Sequence, residues 1–230
     1  MPNEILLCLS VIVCFGGVIA AYYFWGLSGL CAYTAFAAVT ANIEVLITIE
    51  AFGMEQTLGN VLFAANFLIT DIISELYGKK EANRAVYIGA GASAFFVLIS
   101  QLWLCYTPGP NDWAMDSIRT LFAITPRLML ASLSVYVISQ RLDVTLYHFW
   151  WTLTSKNGDK RSYLWLRNNG STLISQFINA ILFNVFAFYG VYDLSTLLSI
   201  ILSSYVIFIA TSLLDTPFVY WARRITPRVK

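Results

Sequence analysis

The sequence predicts an all-α integral membrane protein, a bundle of about seven transmembrane helices joined by short loops. The 230 residues are 58% hydrophobic and only 12% charged, with a mean hydropathy of +0.68, well outside the range of soluble domains. Apolar runs near the roughly 20 residues that span a bilayer occupy residues 5–25, 27–49, 57–77, 85–106, 120–140, 165–189 and 194–221. The connections are too short for a soluble domain, so residues 1–230 are expected to form one transmembrane domain.

The first two runs are interpreted as retained helices. The first follows Pro2, Asn3 and Glu4 in place of the positive region of a secretory signal, and its apolar stretch is longer than a typical signal core. The second run carries Asn42 and Glu44, which lie on different faces of a helix. Of these two, Asn42 is the better candidate for lining a binding site.

The third run contains FLITDIISELYGKK, residues 67–80, and ends at Gly78 and a basic pair. Asp71 and Glu75 are four residues apart and therefore share one helical face, with Thr70 beside them. A carboxylate near the bilayer centre costs roughly 2.5 to 3.5 kcal/mol on insertion scales. Both acids are therefore expected to face protein or water, and all three residues are candidate site residues.

The fifth run contains a basic residue, Arg127, directly after Pro126. Because this position is too deep for an unstrained reach to the surface, an anionic partner is expected. Asp71, Glu44 and a substrate group are all open as that partner. The following stretch, RLDVTLYHFWW at residues 141–151, exceeds the span, and its aromatic residues suit a helix at headgroup level.

The sixth run carries a polar stripe along one side, at steps of four, three and four residues. The stripe consists of Asn168, Thr172, Ser175 and Asn179, with Asn169 and Gln176 beside it. Side-chain amides offer donors and acceptors without charge, which suits a neutral heterocycle. Hydrogen bonding between helices is the alternative. The hydroxyls are assigned to helix contacts and the four amides to the binding site.

The seventh run ends near Asp215, Thr216 and Pro217, which combine an acid with a helix-breaking residue. A site residue and a simple device for ending the helix are both open for Asp215.

The basic residues lie at alternate ends of successive runs and define a topology. They follow the third run, precede the sixth and follow the seventh: Lys79, Lys80, Arg84, Lys156, Lys160, Arg161, Arg167, Arg223, Arg224, Arg228 and Lys230. The positive-inside rule makes these ends cytoplasmic. The N-terminus is then expected outside, and residues 223–230 form a basic cytoplasmic tail.

Several signals of other functions are absent from the sequence. There is no GxxxxGK[ST] loop for ATP and no HExxH or GxSxG motif, so neither an ATPase nor a common hydrolase is expected. The four cysteines form no CxxC pair, so neither a metal site nor a cofactor is expected. The only histidine, His148, is assigned to packing or headgroup contact.

Six segments together resemble a known family. They are TDIISELYGKKEA at 70–82, TPR at 125–127, SQ at 139–140 with Asp143, LWLRNN at 164–169, SQ at 175–176 and DTPF at 215–218. The chain resembles the queuosine-precursor transporters, formerly described as vitamin uptake transporters, from about residue 42 to residue 220. Residues 27–222 are expected to be the family core, and residues 1–26 an extra N-terminal helix found in some members.

The resemblance implies a fold similar to the substrate-binding components of energy-coupling-factor importers. It also implies import of a deazaguanine base, such as queuine or its aminomethyl or cyano precursors, across the bacterial cytoplasmic membrane for tRNA modification. No direct contact with nucleic acid is expected, and a homodimer or an energising module is open. The substrate-binding residues would be Asp71, Glu75, Arg127, Asn168, Asn169, Gln176, Asn179, Asn42, Thr70 and Asp215.

Two positions depart from the family pattern. Asn179 replaces an acid in the sixth helix, and Phe208 replaces a lysine that members often carry in the last helix. A structural ion pair deleted as a unit and an altered substrate selectivity both explain this double change.

Two other functions are alternatives to an autonomous importer. The first is a substrate-capture subunit that moves its ligand only with a separate ATPase complex. The second is an intramembrane enzyme acting on lipids, against which the lack of a nucleophile with a base counts heavily.

Overall fold

The computed structural model describes residues 2–123, 126–155, 162–190 and 193–229, without the side chains of residues 55, 123 and 126–129. Over this part the chain forms seven helices and one antiparallel hairpin. In chain order these are α1 (Asn3–Glu44), β1 (Thr48–Ala51), β2 (Met54–Thr57), α2 (Gly59–Leu76), α3 (Lys79–Trp103), α4 (Met115–Ala123), α5 (Pro126–Thr154), α6 (Leu164–Phe188) and α7 (Leu194–Ala222). The predicted all-α membrane class is confirmed.

Helix α1 contains both of the first two predicted runs, folded back on each other at Gly26. This glycine has φ 56° and ψ −136°, a combination that a residue with a Cβ adopts only at a cost. The Tyr33 hydroxyl donates to the Cys14 carbonyl at 3.0 Å, so the second half runs back along the first. The two runs are therefore separate antiparallel helices joined by a tight turn.

The segment after α1 differs from the prediction, which placed residues 45–49 in the second helix. The helix ends at Glu44 instead, and residues 48–57 form a β-hairpin. The β-branched residues before the turn favour a strand. Phe52 and Gly53 both have positive φ, 54° and 69°, as the two central residues of a type I′ turn require.

The predicted fifth run, residues 120–140, is divided between two helices, and the predicted headgroup-level helix at 141–151 is wrong. Residues 115–123 form the short helix α4, and α5 runs without interruption from Pro126 to Thr154. The reason is burial: Asp143, Val144 and Tyr147 are fully buried in the bundle. Interior contacts therefore hold this stretch in line with the span.

The bundle has two distinguishable ends. At one end the Arg228 backbone N–H donates to the Tyr23 carbonyl at 2.8 Å, and the Arg228 guanidinium lies 4.9 Å from the Tyr23 ring. This basic end contains the Gly26 turn, the turn at Gly78 between α2 and α3, and residues 223–229. At the opposite hairpin end, Asn3 donates to the Glu50 carbonyl at 2.9 Å. The N-terminus and the C-terminus thus lie at opposite ends, as the charge pattern predicts.

Helix α7 begins at the hairpin end with Asp193 as its N-cap. Hydrogen bonds from the hydroxyls of Ser195 and Thr196 hold the pKa of this carboxyl well below its usual range. At the other end, α7 continues through Pro217 to Ala222. The Asp215-Thr216-Pro217 sequence is therefore inside the helix and does not end it.

The packing is the reverse of that in a soluble protein. On α7, Leu202 and Leu213 are 62% and 58% exposed, whereas Thr211 and Asp215 are buried. Within the described residues, five helices are long and apolar enough to cross a membrane, and α1 supplies two segments. Apolar side chains thus face outward and polar ones inward, as in a protein whose surface contacts lipid.

We expect Gly26→Ala to lower the thermal stability of the purified protein. An added Cβ would lie 2.9 Å from the Val229 carbonyl, and the backbone conformation itself costs about 1 to 3 kcal/mol for a non-glycine residue. Gly16→Ala in the same helix is the matched control, because a Cβ there meets no atom within 4 Å. Equal melting temperatures for the two variants would contradict the proposed turn.

Candidate functional site

A buried ion network closes the basic end of the bundle around Glu75. Arg167 Nη2 lies 3.0 Å from Glu75 Oε2, and Arg223 Nη1 lies 3.5 Å from Glu75 Oε1. The Tyr147 hydroxyl donates to the same carboxylate at 2.7 Å. One carboxylate on α2 therefore links α5, α6 and the residue that follows α7.

Arg167 is the largest fully buried side chain of the described chain. Besides its bond to Glu75, it donates to the Ser162 carbonyl at 2.7 Å, and its guanidinium lies 4.4 Å from the Trp151 ring. Burial of this cation is stabilised by a carboxylate, a carbonyl and an aromatic face.

A second polar cluster lies one helical turn deeper in the bundle and contains three acids. The Thr172 hydroxyl donates to Asp71 Oδ2 at 3.1 Å, and the Ser175 hydroxyl donates to Asp143 Oδ1 at 2.9 Å. Thr172 and Ser175 are about one turn apart, so the two acids lie against the same stretch of α6. Both acids are fully buried.

The third acid, Asp215, receives a hydrogen bond from Asn168 Nδ2 at 2.6 Å. Beside it, Asn169 Nδ2 donates to the Thr216 hydroxyl at 2.8 Å, and the Ser212 hydroxyl donates to Asn169 Oδ1 at 3.3 Å. The two asparagines thus join α6 to α7. We name Asp71, Asp143 and Asp215 the acid cluster.

A cavity of about 540 Å³ lies at the hairpin end. Among the side chains that the structure describes, its lining contains no charged group. It contains amides and hydroxyls from α2, α5, α6, α7 and the hairpin, together with aromatic rings. The amides and rings are Gln56, Asn60, Asn179, Asn184, Phe63, Phe183, Phe188 and Phe208.

Aromatic rings lie close together at the wall of this cavity. The Phe63 ring, on the cavity wall, lies 6.0 Å from the Tyr136 ring and 6.5 Å from the Phe208 ring. On α6, Asn179 lines the cavity, while Ser175, one turn along the helix, contacts Asp143. The cavity and the acid cluster are therefore neighbours along one polar seam.

The residues proposed from the sequence fall into different places. Asp71, Asn168 and Asp215 meet in and around the acid cluster, with Asn169 beside them, whereas Glu75 belongs to the ion network and Asn179 to the cavity wall. Thr70 donates to Gln140 Oε1 at 3.0 Å next to the cluster. Gln176 is buried on α6, and neither polar atom of its amide has a hydrogen-bond partner.

Two further candidates lie away from these groups. Asn42 donates to the Ser93 hydroxyl at 3.2 Å, a contact between α1 and α3. Among the cavity-lining residues that the structure describes, its neighbour Ala41 is present and Asn42 is not. The side chain of Arg127 lies outside the described residues.

Sequence reasoning did not assign Asp143, Tyr147 or Arg167 to the site. A signal was present in α5, where Gln140, Asp143 and Tyr147 follow at steps of three and four and so share a face. The assignment of residues 141–151 to a headgroup-level helix does not take this shared face into account. Arg167 was counted only as a cytoplasmic charge, although it lies one residue before the amide stripe.

An apolar outer surface, a polar seam through the interior and a solute-sized cavity at one end define a multi-pass membrane transporter. The comparisons agree. A profile of the family described as "Putative vitamin uptake transporter" matches residues 57–222, and the chain belongs to this family. This assignment also agrees with the expectation that the chain is not an enzyme.

One curated relative covers nearly the whole chain. It is a protein of Bacillus subtilis (strain 168) named "Probable queuosine precursor transporter", 36% identical over 227 residues, which are 99% of this chain and 97% of the relative. No solved structure matches the chain significantly.

We expect Arg167→Met to lower stability strongly, because it leaves the buried Glu75 carboxylate short of its main partner. Breaking a buried pair costs about 3 to 5 kcal/mol. Arg84→Met is the matched control, since its pair with Glu81 is largely exposed and worth about 0 to 1 kcal/mol. Thermal unfolding in detergent measures both. Similar melting temperatures for the two variants would show that the network does not stabilise the fold.

Proposed function

We propose that this protein imports a queuosine precursor, a deazaguanine base, across the bacterial cytoplasmic membrane. The observation that carries the proposal is the cavity at the hairpin end, with its uncharged amides, hydroxyls and aromatic rings. It occurs in a chain that is 36% identical to a relative named as a transporter of such a precursor.

The cavity suits a flat heterocycle in size and chemistry. Its volume of about 540 Å³ falls within the roughly 300 to 1,000 Å³ of pockets for small molecules. A deazaguanine has a ring N–H, an exocyclic amine and a carbonyl at its edges, which amides such as Asn60 and Asn179 can satisfy. Its faces require aromatic contacts, which Phe63 and Phe208 can supply.

The direction of transport follows from charge. The positive-inside rule places the basic end in the cytoplasm, so the cavity opens from the outside. On the cytoplasmic side, the Glu75 ion network joins α2, α5 and α6 and closes the bundle. Import then requires the network to separate while the cavity closes, as in other alternating-access transporters.

The acid cluster is proposed as the deeper part of the same pathway. Asp71 Oδ1 receives no hydrogen bond, which leaves it available to accept from the ring N–H of a base. Asn168, Asn169, Gln176, Thr70 and Asp215 are proposed to belong to the same part of the pathway. They are assigned to the stage after the base leaves the cavity, and not to the cavity itself.

The two departures from the family pattern bear on selectivity. Asn179 and Phe208 both line the cavity. An acid and a lysine at these two positions, as in the family pattern, would therefore place charges on the cavity wall. We propose that this chain accepts a base whose cavity-facing part is uncharged. A structural ion pair deleted as a unit is the alternative, since both positions line the same cavity.

Saturating queuine is expected to raise the melting temperature of the purified protein, because a ligand of the folded state stabilises it by mass action. Asn179→Ala should weaken binding about three- to tenfold, the worth of one neutral hydrogen bond. Asn83→Ala is the matched control, since Asn83 lies on α3 and donates to the Lys79 carbonyl. Equal affinities for the two variants would exclude Asn179 from the binding site.

Uptake of labelled queuine into liposomes that contain only this chain tests autonomous transport. We expect saturable uptake, inhibited by unlabelled deazaguanine bases. Binding without any uptake would instead identify a capture subunit that requires a separate ATPase complex.

A further inference from the structure

We propose that Asp71 and Asp143 form a proton-binding site and that the bound proton enters the cell together with the base. This inference rests on the proposed function and adds the ion that drives it.

Two buried acids lie against the same stretch of α6. The hydroxyls of Thr172 and Ser175, about one turn apart on that helix, donate to Asp71 and Asp143 respectively, and both acids are fully buried. Each keeps one carboxyl oxygen that receives no hydrogen bond. A buried carboxylate without a paired cation or full hydrogen bonding is costly, and a proton on one of the two acids removes that cost.

The basic groups that the structure describes near the pair are occupied elsewhere. From each element packed here, the charged or titratable groups are Asp71 and Glu75 of α2, Asp143 and Tyr147 of α5, Arg167 of α6, and Asp215 of α7 with Arg223 after it. Both arginines contact Glu75. Among the side chains that the structure describes, no cation pairs with the acid cluster.

The fixed donors around the pair do not satisfy two full carboxylates. Asp71 Oδ1 and Asp143 Oδ2 receive no hydrogen bond. Gln140 is fully buried one turn from Asp143, accepts from Thr70 beside Asp71, and has an Nε2 donor without a partner. The site is thus built to hold a proton in exchangeable form, since neutral hydroxyls alone stabilise two buried anions poorly.

The position of the pair suits coupling. Ser175 holds Asp143 one turn of α6 from the cavity residue Asn179, and Asp71 lies one turn of α2 from Glu75 in the ion network. Widening of the cavity from Asn179 towards Ser175 would expose the pair to the outside, and opening of the network would expose it to the cytoplasm. The same two movements admit and release the base.

The transfer is a simple proton balance. An O–H bond forms on one carboxyl when external water gives up a proton, and this bond breaks when the proton passes to cytoplasmic water. One proton therefore crosses with each base, without any oxidation or reduction.

The first experiment tests for the bound proton in the absence of substrate. In the purified protein we expect an infrared band of a buried protonated carboxyl, lost in Asp71→Asn and Asp143→Asn. Asp116→Asn, on the exposed helix α4, should retain the band. Absence of this band from the unmodified protein, or its persistence in both cluster variants, overturns the proton site.

Coupling is then tested in liposomes with the membrane potential clamped at zero. A one-unit inward pH gradient should drive about tenfold accumulation of labelled queuine at one proton per base. Asp143→Asn should abolish this accumulation yet still exchange internal for external queuine. Uptake that is indifferent to the gradient overturns the coupling, whereas absence of both uptake and binding in the unmodified protein refutes the proposed function and leaves the infrared result standing.

Discussion

Compensation of buried charge is the constraint on which this structure depends. In an apolar solvent an isolated carboxylate is costly, and Glu75 avoids that cost by contacting Arg167, Arg223 and Tyr147. These partners come from three other parts of the chain. The network therefore fixes the basic ends of α2, α5 and α6 relative to one another, and the polar seam that leads to the cavity starts from this fixed point.

Most of the fold could be predicted from the sequence, because bilayer thickness and hydropathy leave few alternatives. The bounds of α6 and α7 lie within one residue of the predicted runs. The failures have physical reasons. Residues 45–49, VLITI, suit a helix or a strand alike, so hydropathy alone does not show that the second helix ends at Glu44. The aromatic residues of 141–151 suggest an interfacial helix. Asp143 and Tyr147, however, form hydrogen bonds inside the bundle.

The site was predictable in composition but not in arrangement. Helical spacing shows that Asp71 and Glu75 face the interior. It cannot show that Asp71 lies beside another acid, whereas Glu75 contacts two arginines. Those partners lie 72 to 148 positions away and depend on how the helices pack. Spacing also does not distinguish the roles of two asparagines on the same stripe. Asn179 lies on the cavity wall, whereas Asn168, eleven residues earlier in the chain, contacts Asp215.

The two acids of the third run therefore have opposite environments although they are one turn apart. Glu75 contacts two arginines and a tyrosine, so the network at the basic end is complete without a ligand. Asp71 instead lies with Asp143 against one stretch of α6, and each of these acids keeps an oxygen without a hydrogen bond. In the proposed cycle the complete network favours closure at the basic end in the empty protein, whereas the acid pair takes up its proton from the cavity side. The proton gradient then sets the direction of transport, and the two environments determine which end opens at each stage.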